Sequence, residues 1–249
     1  MALSIRNVCM TFDVEKGHTL EDINLNIAPG EFVCLLGPSG CGKSTLLNII
    51  AGLEKPTSGE VYMNELPITA PGPDRAMMFQ ESALFPWLTV EENIKFGMRL
   101  AKLPKEEQEA RAVKYEEMTG LRQFASYNVH KLSGGMKQRC ALARALCLDS
   151  EVLLMDEPFA ALDKQTKNIL CDELEKIWLH TKKTIVYVTH SVEEGMFFGD
   201  KIVMFSANPG KIKKIINVGF PRPRRIDDPE FVHLRHEILE ELKSEIKNN

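Results

Sequence analysis

The feature that most limits how this 249-residue chain can fold is Gly37-Pro38-Ser39-Gly40-Cys41-Gly42-Lys43-Ser44-Thr45. A wholly apolar run, Phe32–Leu36, precedes it, and a helical pattern over Lys43–Ile50 follows. A strand that turns into a helix through three closely spaced glycines folds its backbone N–H groups inward, with the positive end of the helix behind them. Such a loop binds phosphate oxygens. Lys43 is placed to reach the outer phosphates of a nucleotide, and the Ser44 hydroxyl to ligate Mg²⁺. A strand feeding directly into a helix in this way also commits the chain to an α/β architecture.

The rest of the chain is consistent with that commitment. Val152–Met155, Thr184–Val188 and Ile202–Phe205 are short and continuously apolar, the pattern of strands buried on both faces of a parallel sheet. The first 30 residues instead alternate, as in Ile5-Arg6-Asn7-Val8 and Ile23-Asn24-Leu25-Asn26-Ile27, which predicts antiparallel strands with one wet face. Helical periodicity recurs over Lys105–Met118, Met136–Leu148 and Lys164–Thr181, and the stretch from Ser82 to Ser150 carries no convincing strand. The expected organisation is one domain with three parts. Residues 1–81 and 151–218 form an α/β nucleotide-binding core with a mixed sheet and an N-terminal antiparallel part. Residues 82–150 form an inserted helical subdomain, and residues 219–249 a helical tail. In the tail, Asp228-Pro229-Glu230 is a helix start, and Phe231, Leu234, Ile238, Leu242 and Ile246 form one apolar stripe expected to pack on the domain.

Composition excludes several classes of function. A formal charge of -4 gives no electrostatic footprint for nucleic acid, so no nucleic-acid partner is expected. The locally basic stretches Lys211–Lys214 and Pro221–Arg225 read as solvated surface. The six cysteines form no C-x-x-C pair and several sit in apolar runs, so buried reduced thiols and a reducing compartment are expected. No secretory leader begins the sequence and no apolar run approaches the ~20 residues that cross a bilayer, so any membrane role must come through a partner.

Carboxylates answer the phosphate loop. The buried-strand run Val152–Met155 ends in Asp156-Glu157, and ligands of α/β sheets gather at the carboxyl ends of strands. Asp156 is placed to hold Mg²⁺ through its water shell, and Glu157 to take a proton from an attacking water. His190 follows the strand Thr184–Val188, where it can hydrogen-bond the γ-phosphate or that water. Leu132-Ser133-Gly134-Gly135-Met136-Lys137-Gln138-Arg139 is a second glycine-bearing helix start. Ser133 could simply cap the helix, yet the same backbone makes another anion site. One ATP does not need two phosphate cradles in one fold, so the second is better placed to complete a neighbour's site.

At this point the chain resembles the ATP-binding cassette family over almost its whole length. Leu132–Arg139 is similar to the family's signature sequence. The order also matches: phosphate loop, Gln80 after the strand Ala76–Phe79, signature, Asp156-Glu157, Ala161-Leu162-Asp163, then His190. The resemblance implies a P-loop ATPase fold in which Phe12 stacks on adenine and Gly37 through Thr45 hold the phosphates. It implies that Glu157, His190, Gln80 and Lys43 serve hydrolysis, and that Ser44, Gln80 and Asp156 serve Mg²⁺. It also implies a head-to-tail homodimer in which Ser133, Gly134 and Gly135 of one copy reach the ATP of the other, with Asp163 in the loop between the two sites. The implied partners are a membrane permease, in two copies, and an extracytoplasmic substrate-binding protein, with the chain peripheral on the cytoplasmic face of the inner membrane.

A narrower likeness, to ATPases of nitrate, sulfonate and taurine import, rests on three segments. These are Glu81-Ser82-Ala83-Leu84-Phe85-Pro86-Trp87-Leu88-Thr89, Ser206-Ala207-Asn208-Pro209-Gly210-Lys211-Ile212 and Phe220-Pro221-Arg222-Pro223-Arg224. Val129, Lys131 and Ser191 depart from the usual family pattern without removing a group the chemistry needs. The rival class is a soluble ABC-type ATPase uncoupled from transport. The short span from Lys43 to Ser133 has no room for the long insertions common in such relatives that act on DNA.

Overall fold

The computed structural model describes residues 2–13, 15, 17–160, 162–224 and 228–247, the side chains of Ile246 and Lys247 excepted. Ala161, Arg225 and the side chain of Ile246, all invoked above, lie outside the described residues. In chain order the elements are β1 (Leu3–Met10), β2 (Leu20–Ile27), β3 (Phe32–Leu36), α1 (Lys43–Ala51), β4 (Ser58–Met63), β5 (Leu66–Pro67) and β6 (Arg75–Met78). There follow α2 (Val90–Leu100), α3 (Lys105–Met118), α4 (Gly134–Cys147), β7 (Val152–Asp156), α5 (Lys164–Thr181) and β8 (Thr184–Thr189). The last are α6 (Val192–Phe198), β9 (Lys201–Phe205), β10 (Ile212–Asn217) and α7 (Pro229–Lys247). The chain divides into two compact units, Met1–Gly72 with Thr184–Asn249, and Pro73–Lys183.

The first unit holds two sheets. One is antiparallel with neighbours β2-β1-β4-β5, where β2 alternates buried and exposed residues as its sequence predicts. The other carries the neighbours β10-β9-β3-β8, parallel across β9-β3-β8 and antiparallel at β10, so the sheet is mixed. Every residue of β3 and β8 is buried, which is why those runs are apolar without alternation. Phe32 of β3 stacks on Phe198 of α6 at 5.1 Å between centroids, and Tyr187 of β8 tilts against both. Each such ring contributes roughly 1.5–3 kcal/mol by burial.

In the second unit β6 and β7 pair in parallel, and α2, α3 and α4 pack together. Residues 82–150 lie wholly in this unit and contain those three helices and no named strand. Lys95, buried on α2, bonds Glu91 on its own helix and Glu109 of α3 at 2.5 Å, tying the two helices together. Helix α4 begins at Gly134, two residues before the expected Met136. The Ser133 cap supplies what the two glycines lack in helix propensity.

Of the tail stripe, Phe231 and Ile238 are buried and Leu234 and Leu242 half-buried, with Phe231 against Phe220 at 5.7 Å. One expectation is corrected. Arg222 and Arg224 are not solvated surface, and Arg224 is only 7% exposed. Its guanidinium donates to the carbonyls of Met196 (2.6 Å), Phe197 (3.0 Å), Gly199 (2.7 Å) and Val218 (3.2 Å). Arg222 donates to Phe197 O at 3.1 Å, to Phe198 O, and to Asp200 Oδ1 at 3.0 Å. The carbonyls that end α6 need donors, and these two cations supply them. Lys211, Lys213 and Lys214 do lie at the surface, paired with Glu21, Glu245 and Glu241. All six cysteines are thiols, and all but Cys9 are buried. Among the described residues no helix is long and apolar enough to cross a membrane.

Candidate functional site

The phosphate loop is folded around its own lysine. Lys43 is 4% exposed, and its Nζ donates to Gly37 O at 2.8 Å and Pro38 O at 2.7 Å, with Cys41 Sγ at 3.5 Å. These bonds hold the ammonium inside the loop that the sequence assigns to phosphate. Gly42 ends the loop at φ +92°, and a Cβ there would lie 2.5 Å from Leu20 Cδ2, so both conformation and space demand glycine. No side chain caps α1, and its first turn holds no acid, which leaves its positive end facing the loop. Ser39, Gly40 and Ser44 are exposed at the rim. Burial pushes the Cys41 thiol up, against the opposing charge of Lys43, so it stays protonated near neutral pH.

Strand register brings His190 to the same edge. In the parallel pair β3–β8, Leu36 lies opposite Thr189, so Gly37 and His190 leave the sheet side by side. The His190 turn is set from behind: the buried Glu194 carboxylate accepts from Thr189 Oγ1 at 2.5 Å and Tyr187 Oη at 2.9 Å. Thr189 Oγ1 in turn accepts from Ser191 N–H at 3.0 Å. Phe12, 60% exposed, stands in the turn between β1 and β2, where Thr11 Oγ1 and His18 Nδ1 are 2.7 Å apart. A ring held in the open offers a face on which a base can stack.

The second unit carries the other expected residues. Met78 of β6 pairs with Met155 of β7, so Gln80 and Asp156-Glu157 leave that parallel pair at the same end. Glu157 has φ +42°, a left-handed conformation that costs a side chain about 1–2 kcal/mol and marks sites where geometry is set for function. Ser133 caps α4, its Oγ accepting from Met136 N–H at 3.3 Å, and the first turn holds no acid. A Cβ on Gly134 would meet nothing within 4 Å, whereas one on Gly135 would lie 2.6 Å from Thr166 Cγ2. Asp163 caps α5, accepting from Gln165 N–H at 3.1 Å and Thr166 N–H at 3.0 Å. The Thr166 amide holds the Asp163 carboxyl below the usual carboxylate range. Gly135 and Thr166 therefore join the signature turn to the Asp163 cap.

Residues 20–160 match the family model described as ABC transporter. The chain belongs to the ABC transporter family. An uncharacterized ABC transporter ATP-binding protein of Methanocaldococcus jannaschii is 46% identical over 98% of this chain and 92% of its own length. The aliphatic sulfonates import ATP-binding protein of Bacillus subtilis is 44% identical over 98% of this chain and 94% of its own. A solved dimeric ATP-binding cassette in a post-hydrolysis state with ADP and phosphate has a TM-score of 0.77 at 35% identity, covering 88% of this chain and 100% of that one. This ABC chain is accordingly an ATP-binding subunit and an ATPase.

Two contacts of this ABC cassette were not expected from the sequence, although Gln138 lies within the stretch Leu132–Arg139 singled out there. Gln138, buried on α4, donates from Nε2 to Gln80 O at 3.1 Å. Arg144 donates to Ser82 O at 2.9 Å and Ala83 O at 2.7 Å. Helix α4 thus grips the backbone that follows Gln80. Gln138 stands in the polar triplet Lys137-Gln138-Arg139 and gave no separate signal, whereas Arg144 interrupts the apolar run Cys140–Cys147. Among the described residues no group of three or more His, Cys, Asp or Glu could hold a metal. The side chains of Ser44, Gln80 and Asp156 carry oxygens of the kind Mg²⁺ takes, one or two from protein with the rest of its shell from phosphate and water.

Proposed function

We propose that this chain is the ATP-hydrolysing subunit of an importer for a small anion such as a sulfonate, nitrate or taurine. Two copies close head to tail over ATP and drive a two-copy permease supplied by an extracytoplasmic binding protein. The chain then sits on the cytoplasmic face of the inner membrane through that permease. The observation that carries the reading is the contrast between a phosphate loop built complete around Lys43 and a capped signature turn whose Gly134 faces open space. A helix N-terminus with a glycine that none of the described residues crowds suits an anion brought by a second copy.

In this reading Phe12 stacks on adenine, and the amides of residues 37–45 with Lys43 hold the phosphates. Ser44, Asp156 and Gln80 would hold Mg²⁺, which offsets phosphate charge when bound. Glu157 takes the proton of the attacking water, and His190 orients the γ-phosphate end. Ser133, Gly134 and Gly135 clasp the partner copy's ATP, and Asp163 links the two sites. Loss of the γ-phosphate removes that clasp and lets the dimer open. Trp87, 73% exposed and backed by Phe85 at 5.6 Å, supplies the apolar surface expected where a permease docks beyond Gln80.

Glu157→Gln tests the reading. Loss of a general base costs roughly 100- to 10,000-fold in turnover. The variant should still bind ATP, hydrolyse it at a small fraction of the wild-type rate and sediment as an ATP-dependent dimer. Tagged and recovered from native membranes with ATP, it should carry a multi-spanning permease. Wild-type turnover would refute the role of Glu157, and ribosomal or DNA-bound partners in place of a permease would refute transport.

A further inference from the structure

The phosphate loop is buttressed by a segment far from it in sequence, the connection from β9 to β10. Gly210 in that connection pairs on both sides of its peptide with the start of β2. Its N–H donates to Thr19 O at 3.0 Å, and its carbonyl accepts from Glu21 N–H at 3.0 Å. The same residue lies against the phosphate loop: a Cβ on Gly210 would fall 1.9 Å from Cys41 O and 3.2 Å from Thr19 O. One backbone unit therefore touches both the end of the Phe12 turn and the middle of the loop that holds Lys43.

The connection is built to keep that backbone still. Ser206 N–H donates to Lys211 O at 2.9 Å. Ser206 Oγ donates to Pro209 O at 2.9 Å and accepts from Lys211 N–H at 3.0 Å. Lys211 Nζ meets Glu21 Oε1 at 2.7 Å, fastening the connection to β2 a second time. Just before it, Phe205 presses on the loop's first residue, its Cβ 2.9 Å from a Cβ built on Gly37. Packing this close transmits a displacement rather than absorbing it.

We propose that Gly210 is a positioning residue for the nucleotide, setting the span between the Phe12 turn and the phosphate loop so that base and phosphates are held together. The inference rests on the reading of Gly37 through Thr45 as the phosphate site and of Phe12 as the adenine contact. Gly210 touches no reacting group, so its effect falls on binding and not on the chemical step. A methyl at this position must push the Cys41 carbonyl, the Thr19 carbonyl or its own backbone aside.

The test compares wild type with Gly210→Ala, Ser206→Ala and Gly219→Ala, the last a control whose Cβ would enter open space. ATP affinity is measured by calorimetry, inorganic tripolyphosphate serves as a base-free probe, and kcat, KM and Tm are recorded. Gly210→Ala should weaken ATP binding and raise KM about ten-fold or more, with kcat at saturation within about three-fold. The advantage of ATP over tripolyphosphate should shrink, Ser206→Ala should move the same way by a few-fold, and Gly219→Ala should match wild type. ATP affinity and KM unchanged in a folded Gly210→Ala, or a fall confined to kcat, would overturn the proposal. Should Gly210→Ala not fold, Ser206→Ala decides on the same KM-against-kcat split, and no change there also overturns it. Failure of the wild type to bind ATP would instead refute the site itself.

Discussion

Among the described residues two glycine-bearing helix starts have no acid in the first turn, and they are finished differently. At α1 the loop is closed by its own chain: Lys43 bonds two carbonyls inside it, and Leu20 and Phe205 leave no room beside Gly42 and Gly37. At α4 the start is capped by Ser133 and braced on one side, Gly135 against Thr166, while Gly134 is open. Both present the positive end of a helix, which alone confers only a general liking for anions. What separates them is enclosure. The first has its walls and its cation, and the second keeps an open face at Gly134.

Four substitutions would break or sharpen that contrast. The largest effect is expected at Lys43→Ala, which removes the cation from the enclosed start. ATP affinity or turnover should fall roughly 100-fold, as for loss of a transition-state donor, and unchanged values in both would dissolve the distinction. Ser133→Arg should abolish the ATP-dependent dimer in sedimentation while single-copy nucleotide affinity stays within about two-fold; an undiminished dimer would mean that the second start completes no site. Gly135→Ala must displace Thr166 and should cost about 1–3 kcal/mol in denaturant unfolding. Gly134→Ala should leave unfolding unchanged or raise stability by up to ~1 kcal/mol, and weaken only the ATP dimer. Equal destabilisation by the two alanines would show that Gly134 is not open.

Local signals made much of the fold legible. The ranges expected for β3, α3 and α5 coincide with those observed, because apolar runs, periodicity and caps act over a few neighbouring residues. β4, β5, α2, α6 and β10 were given no range from the sequence. β10 carries Lys213 and Lys214 and is exposed at an edge, so its strand character comes from pairing with β9 and from Glu241 and Glu245 of α7. The residues of the phosphate loop were legible because loop, strand and helix are contiguous. Gln138, Arg144 and Gly210 were not, since each acts on backbone distant in sequence.

One sequence pattern occurs twice and separates the two kinds of information. Thr89-Val90-Glu91-Glu92 and Ser191-Val192-Glu193-Glu194 both start helices, and in both the hydroxyl accepts from the N–H three residues on. Glu92 then bonds back to Thr89 N–H at 2.8 Å, completing a capping box, and that bond holds its carboxyl below the usual range. Glu194 turns away into the unit and takes the hydroxyls of Tyr187 and Thr189 behind His190. The sequence by itself determined where α1, α3, α5 and α7 begin, which strands are buried and which loop is the phosphate loop, because those follow from backbone conformation and nearest neighbours. Only the tertiary structure decided that Glu194 supports His190, that Arg222 and Arg224 end α6, and that Gly210 spans two loops. Burial leaves a charged or polar group no water to turn to, so its role is set by whichever partners the fold brings within reach.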